Sequence, residues 1–462
     1  MKEAYAWLLK ELQSFPEDVA SLAVTPQVLP DEIRRHLSDN FQLEDGMPLP
    51  EALSSVGDMM RKWLVHVTHP RYFGYFNPTV TDAGVIGESL AALYNPQLAV
   101  WSHAPAAVEI EKFTLTYLMK RIGFDHRHAI AHFTSGGAEA NHTAVITALT
   151  QCFSEYGEKG LASLDQQPRI YVSAGGHESF HKIAHATGLG RNAIHVVPTD
   201  EYLQMDIDAL RQAIREDRAQ GFIPFMVVAT AGTTSAGVID RLKHVVAICR
   251  AQSLWMHTDA AWGGAVLLSN KLRSLLDGIQ YSDSVTFDAH KYLSVPMGAG
   301  MFFCRHPEPV RRAFQISTDY MPVSEENTED PYASSLQWSR RAIGLKVFLS
   351  LVHYGRSGYA KLIERQAEMG EALRDGLRAK GYLIENQTML PVICFSHPRW
   401  DGRHTEMSAV VHQLQSSGDF WVSTIFLPNG RPAIRACITS FNTALDDVEA
   451  LIDALEQVIP QG

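Results

Sequence analysis

The stretch SVTFDAHKYLSVPMGAG, residues 284–300, decides the fold. An apolar, β-branched run ends in Asp288, His290 and Lys291, and a loop of proline and glycine follows. Such a run is typical of a strand that is buried on both faces of a parallel sheet. Ligands of open parallel sheets bind at the carboxyl ends of the strands, so polar side chains at this end indicate a functional site.

Lys291 has the most useful chemistry of the three side chains. A pocket of low dielectric favours the neutral amine of a lysine, which can form an imine with a carbonyl group. An ordinary surface lysine that follows a strand also fits this local sequence.

The chain around this stretch alternates short apolar runs with amphipathic helical segments, which predicts an α/β fold with a mostly parallel central sheet. Pro-rich joints predict an N-terminal helical arm over 1–85 rather than a self-sufficient domain. We expect a large domain over 86–345 and a small α+β C-terminal domain over 346–462. The predicted strands are RIYVSA, AIHVVPTD, FMVVATAG, LWMHTDAAW, SVTFDAH and GAGMFFCR in the large domain, and LPVICFSH and PAIRACITS in the small one.

The composition of the 462 residues, 46% hydrophobic and 20% charged, is that of a soluble globular protein. A net charge of −11 disfavours non-specific binding to nucleic acid or to an anionic membrane. No run approaches the length of a membrane span, and no secretory signal is evident. The cysteines are scattered and form no Cys-x-x-Cys pair, which favours a reducing compartment and a cytoplasmic protein. They are Cys152, Cys249, Cys304, Cys394 and Cys437.

A second polar strand end lies in WMHTDAAWGG, residues 255–264, where Asp259 precedes small residues that would let a flat ligand approach. A buried aspartate needs a cationic partner, and a protonated pyridine nitrogen is one such partner. The alternative is that Asp259 caps a helix.

A glycine-rich turn lies in FTSGGAEANHTAV, residues 133–145. There Gly136, Gly137 and Ala138 lead into a helix, whose free N–H groups and positive dipole end can bind phosphate. The turn matches neither a Walker loop nor a Gly-x-Gly-x-x-Gly fingerprint, which argues against nucleoside triphosphates and nicotinamide cofactors. A phosphate, a protonatable ring nitrogen and an aldehyde together specify pyridoxal phosphate as the cofactor.

A competing motif is HESFH, residues 177–181, which matches the His-Glu-x-x-His pattern of zinc hydrolases through His177, Glu178 and His181. No further zinc ligand is evident, and the motif follows an apolar run at the same predicted edge as the other sites. We therefore expect no metal ion and keep zinc hydrolysis as a remote alternative.

At this point the sequence resembles the group II pyridoxal-phosphate-dependent amino acid decarboxylases, a family that includes aromatic amino acid, glutamate, histidine and tyrosine decarboxylases. The resemblance extends over about residues 60–455, and its blocks stand in family order. They are HPRYFGYF, AVWSHAPAAVEIE, FTSGGAEAN, HESFHK, ATAGTTSAGVID, WMHTDAAWGG, DAHKYL and SRRAIGLKVFLSL.

The resemblance implies the type I fold of pyridoxal-phosphate transferases, the aspartate aminotransferase-like fold, and a homodimer with active sites at the subunit interface. It implies that Lys291 is the Schiff-base lysine, that Asp259 keeps the ring nitrogen protonated and that His177 stacks on the ring. The other cofactor-binding residues implied are Gly136, Gly137, Ala138, Thr233, Ala261 and His290.

The same resemblance implies that Tyr332, in a long polar loop, returns a proton to the α-carbon, with Tyr320 as its rival. Many family members have asparagine where this chain has Asp288, which a nearby phosphate would repel, so we do not expect Asp288 to bind phosphate. The implied reaction is α-decarboxylation of an amino acid. A carbon–carbon lyase, or a decarboxylation-dependent aminotransferase or oxidase, remains open because several reactions share this fold.

Four residues align with substrate pocket positions: Tyr75, Phe76, Trp101 and Arg435. The three aromatic rings favour a substrate with an aromatic or bulky apolar side chain, although plain core packing also explains them. Arg435 could hold a carboxylate or form an interdomain salt bridge, so an acidic or small substrate stays open.

Overall fold

The computed structural model describes residues 1–316, 328–400 and 402–459. Short 3-10 turns join many of the helices and strands. The α-helices of the described residues are α1 Lys2–Asp18, α2 Pro30–Asn40, α3 Leu49–Trp63, α4 Asp82–Tyr94, α5 Pro105–Ile122, α6 Gly137–Cys152, α7 Tyr156–Lys159, α8 Ser179–Ala186, α9 Ile207–Ala219, α10 Leu242–Gln252, α11 Pro307–Phe314, α12 Gly344–Ala379, α13 His404–Ser416 and α14 Leu445–Val458.

The strands form two sheets. The large sheet has seven strands in the order β1-β7-β6-β5-β4-β2-β3, and the small one has four in the order β10-β11-β9-β8. The strands are β1 Ile130–Thr134, β2 Pro168–Ser173, β3 Ile194–Val197, β4 Ile223–Thr230, β5 Trp255–Asp259, β6 Ser284–Asp288, β7 Gly300–Cys304, β8 Leu383–Ile384, β9 Val392–Ser396, β10 Ser423–Phe426 and β11 Pro432–Cys437.

The large sheet confirms the predicted α/β architecture. Neighbouring strands β3, β2, β4, β5 and β6 pair in parallel, and β5 and β6 are buried along their whole length. The sheet departs from a purely parallel one at β7, which pairs antiparallel with both β6 and β1. The sheet is therefore mixed, with β7 as the one described strand that runs in the opposite direction, and β1 points the same way as β6.

The small sheet is antiparallel throughout. The long helix α12 packs against α4 and α5 and also against α14, and it bends at Gly355, which has a φ of 60°. The predicted division between 345 and 346 falls just inside α12; the domain boundaries stay a prediction. Among the described residues, no helix is long and apolar enough to cross a membrane.

Candidate active site

The carboxyl ends of five strands of the large sheet lie at one edge. The turn at Gly136 follows β1, His177 follows β2 and Thr233 follows β4. Asp259 is the last residue of β5, and Lys291 stands shortly after the end of β6. The strand ends that the sequence singles out therefore belong to one place in the fold, which is where α/β sheets bind ligands.

Lys291 is held in a largely enclosed position. Its Nζ atom lies 3.1 Å from Oδ2 of Asp288. The side chain of Lys291 is 20% exposed and that of Asp288 only 1%. The ring centroid of Phe76 lies 5.9 Å from the same Nζ atom. The amine is thus largely covered, with one aromatic ring nearby and a single carboxylate as its described ion-pair partner.

Asp288 and His290 form a second polar pair beside this lysine. The Oδ1 atom of Asp288 is buried and has no hydrogen-bond partner among the described residues. The N–H of Ala299 donates to Nδ1 of His290 over 3.1 Å, so the proton of a neutral ring is on Nε2, 3.8 Å from Asp288 Oδ2. Burial lowers the pKa of His290 below its usual value, which keeps the ring neutral at neutral pH.

Asp259 receives only neutral donors. The N–H of Ala261 donates to its Oδ1 over 3.1 Å, and the amide of Asn141 donates to its Oδ2 over 2.9 Å. The residue is 5% exposed, and no cationic side chain among the described residues forms an ion pair with it. The charge of this carboxylate is therefore available to a cation that enters the site, such as a protonated pyridine nitrogen.

The N-terminus of α6 fits a phosphate group. Its N-cap, Gly136, offers no capping side chain. The first described backbone hydrogen bond there runs from Glu139 N–H to the Gly136 carbonyl. The N–H groups of Gly137 and Ala138 are left for a ligand, as anion sites at helix N-termini require. A Cβ at Gly137 would lie 2.8 Å from Asp288 Oδ2 and 3.3 Å from the Ala261 methyl group, so the space demands glycine. These residues fit the phosphate and the ring of pyridoxal phosphate.

His177 and Thr233 border the same space in different ways. His177 is exposed, and its Nδ1 accepts a hydrogen bond from the Ser179 N–H over 3.2 Å, so the ring is fixed at one atom. Thr233 is 1% exposed and its hydroxyl accepts the N–H of Val238 over 3.1 Å. Thr233 thus shapes the loop after β4, whereas the accessible ring of His177 can stack on a flat ligand.

The zinc pattern forms no metal centre in the described part of the chain. Glu178 and His181 face each other at 3.8 Å, but no group of three or more candidate ligands assembles among the residues that the structure describes. The motif instead starts α8 next to the cofactor edge.

Phe76 and Arg435 line the substrate side. The rings of Phe76 and Trp262 stack at a centroid distance of 4.4 Å, and Cζ of Arg435 lies 5.0 Å from the Phe76 centroid. Arg435 is 2% exposed and donates to the carbonyls of Thr234 and Gly74. Its Nη2 atom is buried and has no hydrogen-bond partner among the residues that the structure describes. The Cys437 thiol lies beside the guanidinium group but is only a weak acceptor.

The remaining predicted residues lie further out. Tyr75 is 54% exposed and packs against Trp421 at 4.9 Å. Trp101 and Tyr332 both line a separate cleft of about 1200 Å³, and neither Lys291 nor Asp259 lines it. The structure therefore does not bring these two residues to the lysine within one chain. Tyr320, the rival of Tyr332, lies outside the described residues.

Two residues of the site, Asn141 and His257, were missed by sequence reasoning. Asn141 binds Asp259 directly, and the Nε2 atom of His257 lies 3.0 Å from Oδ1 of Asn141. Spacing could have revealed both. His257 is two residues before Asp259 and shares its face of β5, and Asn141 is one helical turn after Gly137.

Comparison with known proteins agrees with this geometry. The model of the pyridoxal-dependent decarboxylase conserved domain matches residues 30–397. The chain is 30% identical to the L-2,4-diaminobutyrate decarboxylase of Acinetobacter baumannii, over 73% of this chain and 68% of the relative. It is 28% identical to the aromatic-L-amino-acid decarboxylase of Bacillus atrophaeus, over 93% of this chain and 89% of the relative.

The fold is also that of solved structures. The crystal structure of Oryza sativa TDC with PLP and tryptamine superposes with a TM-score of 0.92 at 21% identity, covering 99% of this chain and 98% of that one. The predicted type I fold is confirmed. The family match and the site fit one cofactor, pyridoxal phosphate, and one class of enzyme, the carboxy-lyases that depend on it. The chain belongs to the family of pyridoxal-dependent decarboxylases.

Proposed function

We propose that the protein removes the α-carboxylate of an L-amino acid with an aromatic or bulky apolar side chain, releasing carbon dioxide and the amine. The observation that carries this proposal is that β5 and β6 are neighbouring parallel strands, with Asp259 at the carboxyl end of one and Lys291 just after the carboxyl end of the other. The Phe76 ring near the lysine supports an aromatic or apolar substrate.

In this proposal, the residues divide the work by their chemistry. When bound, pyridoxal phosphate supplies an aldehyde for amines and a ring that withdraws electrons from the α-carbon. The Lys291 amine would hold the cofactor at its aldehyde. The Asp259 carboxylate would bind the protonated ring nitrogen, the N–H groups at the start of α6 would bind the phosphate, and the His177 ring would cover one face of the cofactor ring.

A proton must then reach the α-carbon, because the carbon–carbon bond to the carboxylate breaks and leaves its electron pair there. Tyr332 lines a different cleft from Lys291 within one chain. We therefore propose a homodimer in which the segment around Tyr332 of one subunit serves the site of the other.

An acidic substrate is the second candidate. The buried Nη2 atom of Arg435 has no partner among the described residues, and a buried guanidinium group with a free N–H favours a carboxylate ligand. This cation can bind either the α-carboxylate of any amino acid or the side-chain carboxylate of an acidic one.

The test is to give the holoenzyme separate pools of aromatic, aliphatic, acidic and basic L-amino acids and to measure carbon dioxide and amine by mass spectrometry. We expect the aromatic or aliphatic pool to yield both products in equal amounts. Products from the acidic pool alone would instead select the second candidate. Spectral change without carbon dioxide from any pool would contradict decarboxylation and favour a lyase or an aminotransferase.

The proton donor is tested by comparing Tyr332→Phe with Tyr320→Phe. In air-saturated buffer we expect Tyr332→Phe to lower the yield of amine and raise the yield of aldehyde. Dissolved oxygen is then the two-electron oxidant, and ammonia and hydrogen peroxide are the other products. We expect Tyr320→Phe to leave the product ratio unchanged. The opposite pattern would assign the role to Tyr320, and an unchanged ratio in both variants would contradict a tyrosine donor.

A further inference from the structure

A chain of hydrogen bonds runs from the interior of the large sheet to Asp259. Trp255 Nε1 lies 2.9 Å from Ser284 Oγ, which lies 2.9 Å from Nδ1 of His257. His257 Nε2 lies 3.0 Å from Oδ1 of Asn141, whose Nδ2 lies 2.9 Å from Oδ2 of Asp259. His257 and Ser284 are 0% exposed and Asn141 is 1% exposed, so water does not compete for these bonds.

The two ends of this chain fix its direction. The indole of Trp255 can only donate and an ionised Asp259 can only accept. Asn141 must therefore turn its amide nitrogen to Asp259 and its oxygen to His257. His257 then carries its proton on Nε2 and accepts the hydroxyl of Ser284 at Nδ1. Every bond donates toward the carboxylate, an arrangement in which successive hydrogen bonds polarise one another.

Burial favours the neutral ring that this direction needs. Desolvation lowers the pKa of His257 to about 4, against the opposing effects of the charge of Asp259 and of a hydrogen bond to the backbone of Ser284. The hydroxyl of Thr286, 3.3 Å from Nε2, is a second acceptor for the same proton. His257 thus acts at neutral pH as a donor on one side and an acceptor on the other.

We propose that His257 and Asn141 are positioning residues that hold the Asp259 carboxylate in place for the ring nitrogen of pyridoxal phosphate. The inference rests on the proposed role of Asp259 at that nitrogen. All described donors to Asp259 are neutral, so they stabilise its charge without cancelling it. If the chain were broken, the Asn141 amide could rotate and present its oxygen to the carboxylate, which would disfavour the charged form.

The first test is a double-mutant cycle on cofactor affinity, measured by equilibrium dialysis. We expect His257→Leu and Asn141→Leu each to weaken binding of pyridoxal phosphate about tenfold. We expect the double variant to be no more than about twofold worse than the weaker single one, because both act through one chain. Additive losses would overturn the proposal.

Two further variants separate positioning from mere packing. His257→Gln keeps a donor for Asn141 and an acceptor for Ser284, so we expect affinity within about threefold of the parent. His132→Leu is the matched control, since His132 is 3% exposed and neither of its ring nitrogens has a hydrogen-bond partner in the part of the chain that the structure describes. We expect its affinity for the cofactor to stay within about twofold of the parent. A His257→Gln variant as weak as His257→Leu would overturn the proposal.

Neutron diffraction from crystals of the deuterated holoenzyme locates the deuterons and so shows the donor and the acceptor in each hydrogen bond of the chain. We expect a deuteron on Nε2 of His257 and none on Nδ1, with the Asn141 amide nitrogen facing Asp259. A deuteron on Nδ1 alone, or the Asn141 oxygen facing the carboxylate, would overturn the inference.

Asp259→Asn serves as the reference for both proposals. If it leaves cofactor affinity unchanged, the placement of Asp259 at the ring nitrogen is wrong, and this inference fails with it. If it weakens affinity while the His257 and Asn141 variants do not, only the positioning role is overturned.

Discussion

Asp259 and Asp288 end neighbouring strands of one sheet, yet their surroundings differ. Both are buried, with 5% and 1% exposure. Asp259 accepts neutral N–H groups at both oxygens. Asp288 is paired through Oδ2 with the Lys291 Nζ atom at 3.1 Å, and its Oδ1 has no hydrogen-bond partner among the described residues. Asp259 therefore has no cationic partner among the described residues and can bind a cation that enters the site. Asp288 already has such a partner in Lys291.

This difference explains how two acids at one edge serve different purposes. A buried carboxylate is costly unless it is hydrogen-bonded or paired. Neutral N–H donors offset the cost of burying Asp259 without cancelling its negative charge. The ion pair offsets the cost of burying Asp288 and also fixes the position of the Lys291 amine.

The largest effect is expected from Lys291→Met. Activity should fall by at least about a thousandfold because the amine proposed to hold the cofactor is gone. The cofactor-free protein should also lose about 1–3 kcal/mol of unfolding free energy, since the buried Asp288 carboxylate loses the partner of its Oδ2 atom. Turnover and urea unfolding measure the two effects. Lys120→Met, at an exposed position of α5, is the control, and an equal loss of stability in both variants would contradict the pairing.

Asp259→Asn should come next, with activity about 10²- to 10³-fold lower, a typical cost of removing one preorganised electrostatic partner. The side chain keeps its shape, but its new NH2 group faces one of the two N–H donors that Asp259 accepts, so the midpoint of thermal unfolding should also fall. Steady-state kinetics and calorimetry test this. Near-normal turnover would show that the ring nitrogen does not depend on Asp259.

His257→Gln should change the pH dependence of stability. Burial lowers the pKa of His257 to about 4, below the value of about 6.5 in the unfolded chain. Between these two values the unfolded chain binds a proton that the folded one does not, so stability present above pH 6.5 is lost as the pH falls. The variant should remove up to a tenfold change in the unfolding constant per pH unit from this window. Urea unfolding at pH 4.5 and pH 7 measures the slope, and an unchanged slope would be contrary to a neutral buried ring.

Asp288→Asn should have the smallest effect, and on cofactor affinity it should have the opposite sign to Asp259→Asn. Asp288 Oδ2 lies close to Gly137 at the proposed phosphate site. Removing its charge should tighten pyridoxal phosphate binding about two- to fivefold by relieving repulsion. Equilibrium dialysis of both variants tests the contrast. Weaker binding in both would mean that the two carboxylates act alike.

Much of the fold follows from local pattern. The apolar runs around Asp259 and Lys291 predicted β5 and β6, because strands buried on both faces are continuously hydrophobic. The antiparallel direction of β7 did not follow, since residue pattern sets which faces are buried and not which way a strand runs. Strand β1 was not predicted, because its five residues IAHFT form only a short apolar run that leads directly into the glycine turn.

The parts of the site that were predictable are those whose residue type alone indicates a chemical role. Lys291, Asp259 and the glycine turn were placed together from sequence, and the structure brings them to one edge. Asn141 and His257 were missed because a buried amide or imidazole has no signature until its partner is known. The Asp288–Lys291 pair was missed for a similar reason: the sequence shows the residues but not which atoms meet.

The most direct test of the central claim is to reduce the holoenzyme with borohydride and to locate the trapped cofactor by peptide mass spectrometry. We expect the phosphopyridoxyl group on Lys291, and we expect no phosphopyridoxyl peptide from the Lys291→Met protein. A label on any other lysine, or equal labelling of the Lys291→Met variant, would contradict the site described here.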